Sequence, residues 1–232
     1  MRPHIGITTS FNDDTQSLPH AYAEAVERAG GVPLLLPMTE TSATVDAVVE
    51  TIDGLVVPGG PAVTEGLVGS LPDALGALDP LRAASDRRYM EACWDADRPM
   101  LGICYGMQRM NALAGGTIYA DVERQHDGAQ VHSQKRGATS HKVHLRETSR
   151  LRRLLRVDTL EVNTRHLQAI DAVGTGFAVA ATAPDGVIEA IEHTSAQILG
   201  VQFHPERMGE TMHPLFRHLV RQAKASRSVP TA

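Results

Sequence analysis

Met100-Leu-Gly-Ile-Cys104-Tyr-Gly-Met-Gln108-Arg-Met110 is the stretch on which the reading turns. Met100–Ile103 is a short apolar run of strand character. Tyr105–Ala114 then repeats apolar residues at helical spacing, with Met107, Met110 and Leu113/Ala114 turned inward. Cys104 stands at the junction, with Gly102 and Gly106 two positions away on either side. A side chain carried on a sharp strand-to-helix turn needs small neighbours, because the flanking backbones crowd together. Such a turn lifts the side chain out of the sheet and sets it at a helix N-terminus, where the dipole favours negative charge on sulfur. A small buried cysteine at a glycine-rich turn fits the pentapeptide equally well, so these residues alone leave the choice open. Cys93 is the contrast: it shares an apolar helix face with Tyr89, Ala92 and Ala96 and reads as core.

The same alternation runs upstream. Residues 4–8 (HIGIT) read as a strand, and a helix is expected over 19–29, with Tyr22, Ala25, Val26 and Ala29 on one face and Gly30-Gly31 at its end. Val32–Leu36 is the next strand, 43–52 the next helix, and Gly54–Val57 a buried strand closing on Pro58-Gly-Gly-Pro61. Asp79-Pro80 has the pattern of an N-cap followed by an N1 proline. Downstream, strands are expected at 141–145, 159–163, 176–182, 187–192 and 198–203, with a turn at Pro184-Asp-Gly186, and a final helix over about 209–224. Residues 61–78 and 121–138 read as loop. Strands and helices alternating at this spacing give an α/β fold, with a mostly parallel central sheet and helices on both faces. One domain is expected over 1–225, with 226–232 a flexible C-terminal tail.

Composition narrows the function. The 232 residues are 42% hydrophobic, enough to bury roughly 70–75% of the unfolded surface. With 22 Lys plus Arg against 27 Asp plus Glu, the net charge of −5 lacks the basic footprint of a nucleic-acid binder. No apolar run approaches the ~20 residues of a membrane span, and MRPHIGITTS is not a secretory signal. Two cysteines without a CxxC support neither a disulfide framework nor a zinc knuckle, so a reducing cytoplasm is the expected location.

Gly200-Val-Gln-Phe-His204-Pro-Glu206 leaves a strand at its C-terminal end, where open parallel sheets collect ligands. His204 and Glu206 are two apart, and Pro205 keeps His204 extended, so both point to one side. A carboxylate placed in this way fixes an imidazole's tautomer and stabilises its cation. Alone this would be a surface turn; beside a glycine-flanked cysteine at another strand end it reads as chemistry. The Gly59-Gly60 pair could turn amides toward an oxyanion, although by itself it is an ordinary tight turn. No phosphate-loop pattern is present. Eleven histidines raise the question of a metal, but His141 and His144 would face opposite sides of a strand and no HExxH occurs. No metal or other cofactor is expected. Arg217, Arg221, Lys224 and Arg227 read as a solvated helix face.

With these pieces in place the chain resembles the class I glutamine amidotransferase superfamily and, within it, the peptidase C26 group of γ-glutamyl-amide hydrolases of the γ-glutamyl-γ-aminobutyrate hydrolase type. The resemblance covers residues 3–222. It is carried by Tyr22-Ala-Glu-Ala-Val26 with Ala29-Gly-Gly-Val-Pro33, Asp53-Gly-Leu-Val-Val-Pro-Gly-Gly60, Leu101–Gln108, Gly115-Gly-Thr117, Ser140-His141, Val162-Asn163 with His166 and Gln168, Ala183-Pro-Asp-Gly186 and Gly200–Glu206. It implies a flavodoxin-like sandwich with Cys104, His204 and Glu206 as a triad. The backbone N–H groups of Gly60 and Tyr105 would form an oxyanion hole, and Gly59, Gln108, Asn163 and His166 would line a glutamyl pocket. The chain departs from the family at Tyr105, where arginine is common, in the Pro61-Ala-Val-Thr-Glu-Gly66 loop, and at Asn163-Thr-Arg-His166-Leu-Gln168. These positions bear on substrate recognition and leave the triad intact. The expected reaction is cysteine-dependent hydrolysis of a small γ-glutamyl amine to glutamate and free amine. The alternative is a glutaminase subunit that hands ammonia to a separate synthase. The expected partner is a small-molecule γ-glutamyl substrate, without nucleic acid or membrane, and a homodimer is compatible with the sequence.

Overall fold

The computed structural model describes residues 1–73, 75–76 and 78–226. In chain order the elements are β1 (His4–Ile7), β2 (Ser10–Asn12), β3 (Thr15–Ser17), α1 (His20–Arg28), β4 (Val32–Leu35), α2 (Ser42–Thr51), β5 (Gly54–Val57) and β6 (Leu67–Val68). Then come α3 (Pro80–Asp95), β7 (Met100–Ile103), α4 (Tyr105–Leu113), β8 (Thr117–Tyr119), α5 (Val122–Gln125), β9 (Ser140–Leu145), α6 (Arg150–Leu155) and β10 (Thr159–Asn163). The chain continues through β11 (Ala169–Ala172), β12 (Phe177–Thr182), β13 (Ile188–His193), β14 (Ile198–Val201) and α7 (His213–Ser226).

One mixed sheet runs in the order β10-β9-β12-β13-β14-β7-β5-β1-β4. Its half from β14 to β4 is parallel throughout, and antiparallel pairing begins at β13. The fold is thus the α/β arrangement read from the sequence, with an antiparallel wing built from its second half. β8 and β11 pair at the side of β13 and went unread in the sequence.

Strand residues alternate between two cores. Ile5, Ile7, Val56, Leu101, Ile103, Leu199 and Val201 pack with Tyr22 and Val26 of α1 and Leu215, Phe216 and Leu219 of α7. Leu55, Val57, Met100 and Ile198 face the other way, onto Val45 and Val49 of α2, Tyr89, Met90 and Cys93 of α3, and Met107 and Met110 of α4. Period-two alternation in near-continuous apolar strands feeds both faces, as a doubly covered sheet requires. Cys93 is buried core, and burial pushes its thiol up to about 12.

Local signals held where they had a backbone reason. Asp79 caps α3 by accepting from Leu81 N at 2.8 Å and Arg82 N, with Pro80 as its first residue. In β9, His141 is buried and His144 exposed, on opposite sides as expected. The expected helix at 209–224 opens with a 3₁₀ turn, Gly209–Met212, before α7 begins. Arg217, Arg221 and Lys224 lie exposed on α7; Arg227 and the rest of the expected tail, 227–232, lie outside the described residues. No helix among the described residues is long and apolar enough to cross a membrane.

Candidate active site

The C-terminal ends of β1, β5, β7 and β14 converge at one rim, and chain order reverses there: β1 leads outward to β4, and the chain then crosses back to β5. Open parallel sheets bind ligands at such a crevice. Cys104 follows β7 with φ 52° and ψ −105°, a backbone that costs a non-glycine residue roughly 1–3 kcal/mol. The turn explains both flanking glycines. A Cβ on Gly102 would stand 2.7 Å from Gly106 C and Met107 N, and one on Gly106 would collide with the Val57 carbonyl of β5. Cys104 is therefore held at the first turn of α4, 9% exposed, close to solvent but gripped by its neighbours.

β14 ends one strand away and delivers Gln202, His204 and Glu206 in succession. His204 Nδ1 lies 2.8 Å from Glu206 Oε1, whose side chain is fully buried, and this leaves Nε2 free for the sulfur. Burial works against charge on this imidazole. Its hydrogen bonds to Cys104 and Glu206, and the charge on both partners, outweigh burial and push His204 up to about 10. Asn163 clamps the His204 backbone: its Oδ1 accepts from His204 N and its Nδ2 donates to His204 O, both at 2.9 Å. The structure thus brings Cys104, His204 and Glu206 into one array.

The loop after β5 lies opposite. Gly59 N donates to the Tyr22 hydroxyl at 3.1 Å, and that hydroxyl is 3.4 Å from His204 Nδ1. A Cβ on Gly59 would stand 2.7 Å from His204 Cε1, so glycine is what lets the imidazole sit against this loop. Burial, and next the Glu206 charge, push the Tyr22 phenol up, so it stays protonated. Gly59 O in turn accepts from Arg82 Nη2 at 3.1 Å. With both polar groups of Gly59 engaged, Gly60 N–H is the loop amide left over, and Tyr105 N–H is the first amide of α4, without a partner inside its helix.

Several residues that shape this site went unread in the sequence. Arg82, 2% exposed, runs behind the loop to Gly59 O, Ser10 Oγ and Asp86 Oδ2, with its guanidinium 4.7 Å over the Tyr105 ring. Tyr105 OH donates to the same Asp86 oxygen at 2.9 Å. The Tyr105 side chain therefore belongs to a buried Arg82–Asp86–Tyr105 knot under the site. Gln202 Nε2 donates to Cys104 Sγ at 3.4 Å. Its signal was available: it precedes His204 by two positions on an extended backbone and so shares its side. Two pocket candidates sit one layer back: Gln108 Nε2 donates to Gln202 Oε1 and Gln168 O, and His166 Nδ1 lies 3.0 Å from Gln168 O.

A groove of about 1060 Å³ lies elsewhere, bordered by Arg153, Arg156, Arg217 and Arg221; no triad residue lines it. Cys104, His204 and Glu206 lie instead at the strand ends.

The peptidase C26 family profile matches residues 3–206. The chain belongs to the peptidase C26 family. This is a family of glutamine amidotransferase-like hydrolases. It is 31% identical over 198 residues to the glutamine amidotransferase-like protein YvdE of Lactococcus lactis, covering 83% of this chain and 82% of that one. It is also 31% identical over 224 residues to the γ-glutamyl-γ-aminobutyrate hydrolase PuuD of Escherichia coli, covering 88% and 85%. Among solved structures, the glutaminase domain of Trypanosoma brucei CTPS, with bound acivicin, superposes with a TM-score of 0.68 at 16% identity over 99% of this chain and 96% of that one, a likeness of fold.

Proposed function

We propose that this peptidase C26 protein hydrolyses the γ-glutamyl amide bond of a small γ-glutamyl amine, of the γ-glutamyl-γ-aminobutyrate type, through a glutamyl thioester. The observation that carries this reading is the array at one rim: Cys104 on its strained turn, His204 interacting with its sulfur, and Glu206 on the far ring nitrogen. The 31% identity to PuuD over most of both chains supports the substrate class.

In this mechanism the Cys104 sulfur, its proton held by His204, adds to the γ-carbonyl carbon. The oxyanion that forms lies against Gly60 N–H and Tyr105 N–H. His204 gives its proton to the amine nitrogen, the C–N bond breaks, and the free amine leaves a glutamyl thioester. Water then adds to the thioester carbonyl, losing its proton to His204; the C–S bond breaks, and glutamate departs with sulfur and imidazole restored. Glu206 holds the tautomer and balances the imidazolium in both halves.

The magnitudes separate the roles. An oxyanion donor is worth ~10²–10³ in rate and a general acid–base ~10²–10⁴, whereas the covalent route has no substitute for sulfur. Released glutamate, measured for the purified chain on glutamine and a panel of γ-glutamyl amines, tests the proposal. The expected result is turnover of at least one γ-glutamyl amine faster than glutamine, none in Cys104→Ala, and reduced but measurable turnover in Glu206→Ala. Turnover of glutamine only after a synthase is added would favour the amidotransferase alternative. Equal, mild losses in the two variants would remove the triad assignment.

A further inference from the structure

Behind the nucleophile, on the far side of Gln202 and Gln108, three histidines and two carboxylates come together with little solvent contact. Glu189, the second residue of β13, is fully buried. Around its Oε1 stand His141 Nε2 at 3.2 Å, His166 Nε2 at 3.3 Å and His132 Nδ1 at 3.5 Å. The ligand atoms of His132, His141 and Glu189 lie within 4.8 Å of one another. The residues come from four separate places: the segment before β9, β9 itself, the segment after β10, and β13. The sequence argument against a metal weighed only neighbours such as His141 and His144 and could not see this convergence.

The hydrogen-bond pattern is hard to satisfy with protein groups alone. His132 Nε2 lies 2.8 Å from Asp185 Oδ2, a carboxylate further fixed by Gln130 N, so this nitrogen carries the proton and Nδ1 presents a lone pair. His166 Nδ1 lies 3.0 Å from the Gln168 carbonyl, which accepts its proton, so Nε2 likewise presents a lone pair. Both lone pairs face the Glu189 carboxylate, acceptor against acceptor. None of the three imidazole nitrogens around Glu189 makes an aligned hydrogen bond to it, and both carboxylate oxygens are without one. Buried acceptors crowded in this way need positive charge among them, from a metal ion or from protons on the imidazoles.

We propose that His132, His141 and Glu189 bind a divalent transition-metal ion, zinc foremost, with His166 standing beside them. Two imidazoles and a carboxylate with a fourth position open to water are a zinc donor set, and zinc bonds of about 2.0–2.1 Å place tetrahedral ligands about 3.3 Å apart, close to the separations of His141 Nε2 and His132 Nδ1 from Glu189 Oε1. Asp185 on His132 is the kind of outer partner that orients a metal-bound imidazole. A dication also neutralises the two carboxylates, Glu189 and Asp185. Such an ion would tie the segment before β9 to β9 and β13 of the antiparallel wing. Its role is structural support of the site rather than a chemical step.

The test uses the full chain without a histidine tag. It is stripped with a chelator, desalted, incubated with zinc sulfate near neutral pH and desalted again. The wild type is expected to retain about one zinc per chain and to melt at a higher temperature than the stripped protein. Cobalt in place of zinc is expected to give the visible absorption of a tetrahedral site. Glu189→Gln and His141→Gln are both made, so that one folded variant suffices, and each is expected to lose most of the bound zinc. Failure of the wild type to hold zinc through desalting, or retention by a folded variant equal to the wild type, would overturn the proposal. The alternative in that event is a cluster closed by protons on its imidazoles.

Discussion

His204 is held by Glu206 at Nδ1, and its charge couples the site to the stability of the chain. The folded value, about 10, lies above the ordinary 6.5, so between these limits the folded chain keeps a proton that the unfolded chain releases. Stability from this contact is complete below pH 6.5 and is lost as pH rises through about 10. Urea unfolding midpoints across that window are expected to fall more steeply for the wild type than for His204→Gln; parallel curves would show that the imidazolium does not stabilise the fold. The legibility of the site divides along the same physical line. Cys104, His204 and Glu206 stood out because the nearby chain is locally marked: Gly102 and Gly106 leave room for a crowded turn around Cys104, and Pro205 keeps His204 extended with Glu206 on the same side. Tyr22, Arg82 and the Glu189 cluster could not, because their roles depend on which distant strand ends meet, and no local spacing encodes that.

Helix α3 shows how an element can be legible at its end and opaque along its length. Its Asp79-Pro80 start follows from the orphan amides of a helix N-terminus, and the cap forms as read. Arg82, three positions on, would pass for an ordinary solvated first-turn residue; in the fold it lies buried beneath the loop after β5. Desolvation raises the Asp86 carboxyl, while Arg82 and the Tyr105 hydroxyl pull it back down. Removing one partner of a buried pair costs about 3–5 kcal/mol, because the charge left behind has no compensation, whereas replacing both with apolar or neutral groups of similar size is often close to neutral. Arg82→Ala is therefore expected to lower the unfolding free energy by about that amount, and Arg82→Met with Asp86→Asn to recover most of it. A double variant no more stable than Arg82→Ala would mean that Arg82 acts through its contact with Gly59 O rather than through Asp86. Helix α6 fails to announce itself for a simpler reason: its six residues, Arg-Leu-Arg-Arg-Leu-Leu, complete fewer than two turns, too short for periodicity to emerge.

At the scale of the molecule, one sheet serves two cores, and neither core exists without it. Leu55 and Val57 of β5 point into one core and Val56 into the other, so the strand cannot come apart on one side alone. Phe216 of α7 and Trp94 of α3 lie on opposite sides of that sheet, and Trp94 is the sole tryptophan, packed edge-on against Phe177 and His193. Its fluorescence therefore reports the face that Phe216 does not touch. Truncating a buried phenylalanine costs about 3–5 kcal/mol, and in a chain of this length each kcal/mol moves the melting temperature by about 2–4 °C, so Phe216→Ala is expected to melt roughly 6–20 °C lower. If the sheet couples the two cores, Trp94 fluorescence and far-UV circular dichroism will shift together by that full amount and stay coincident. A Trp94 transition that remains at the wild-type temperature, while the circular dichroism splits into two steps, would mean that the faces unfold separately and that the single domain expected over residues 1–225 is two cooperative units.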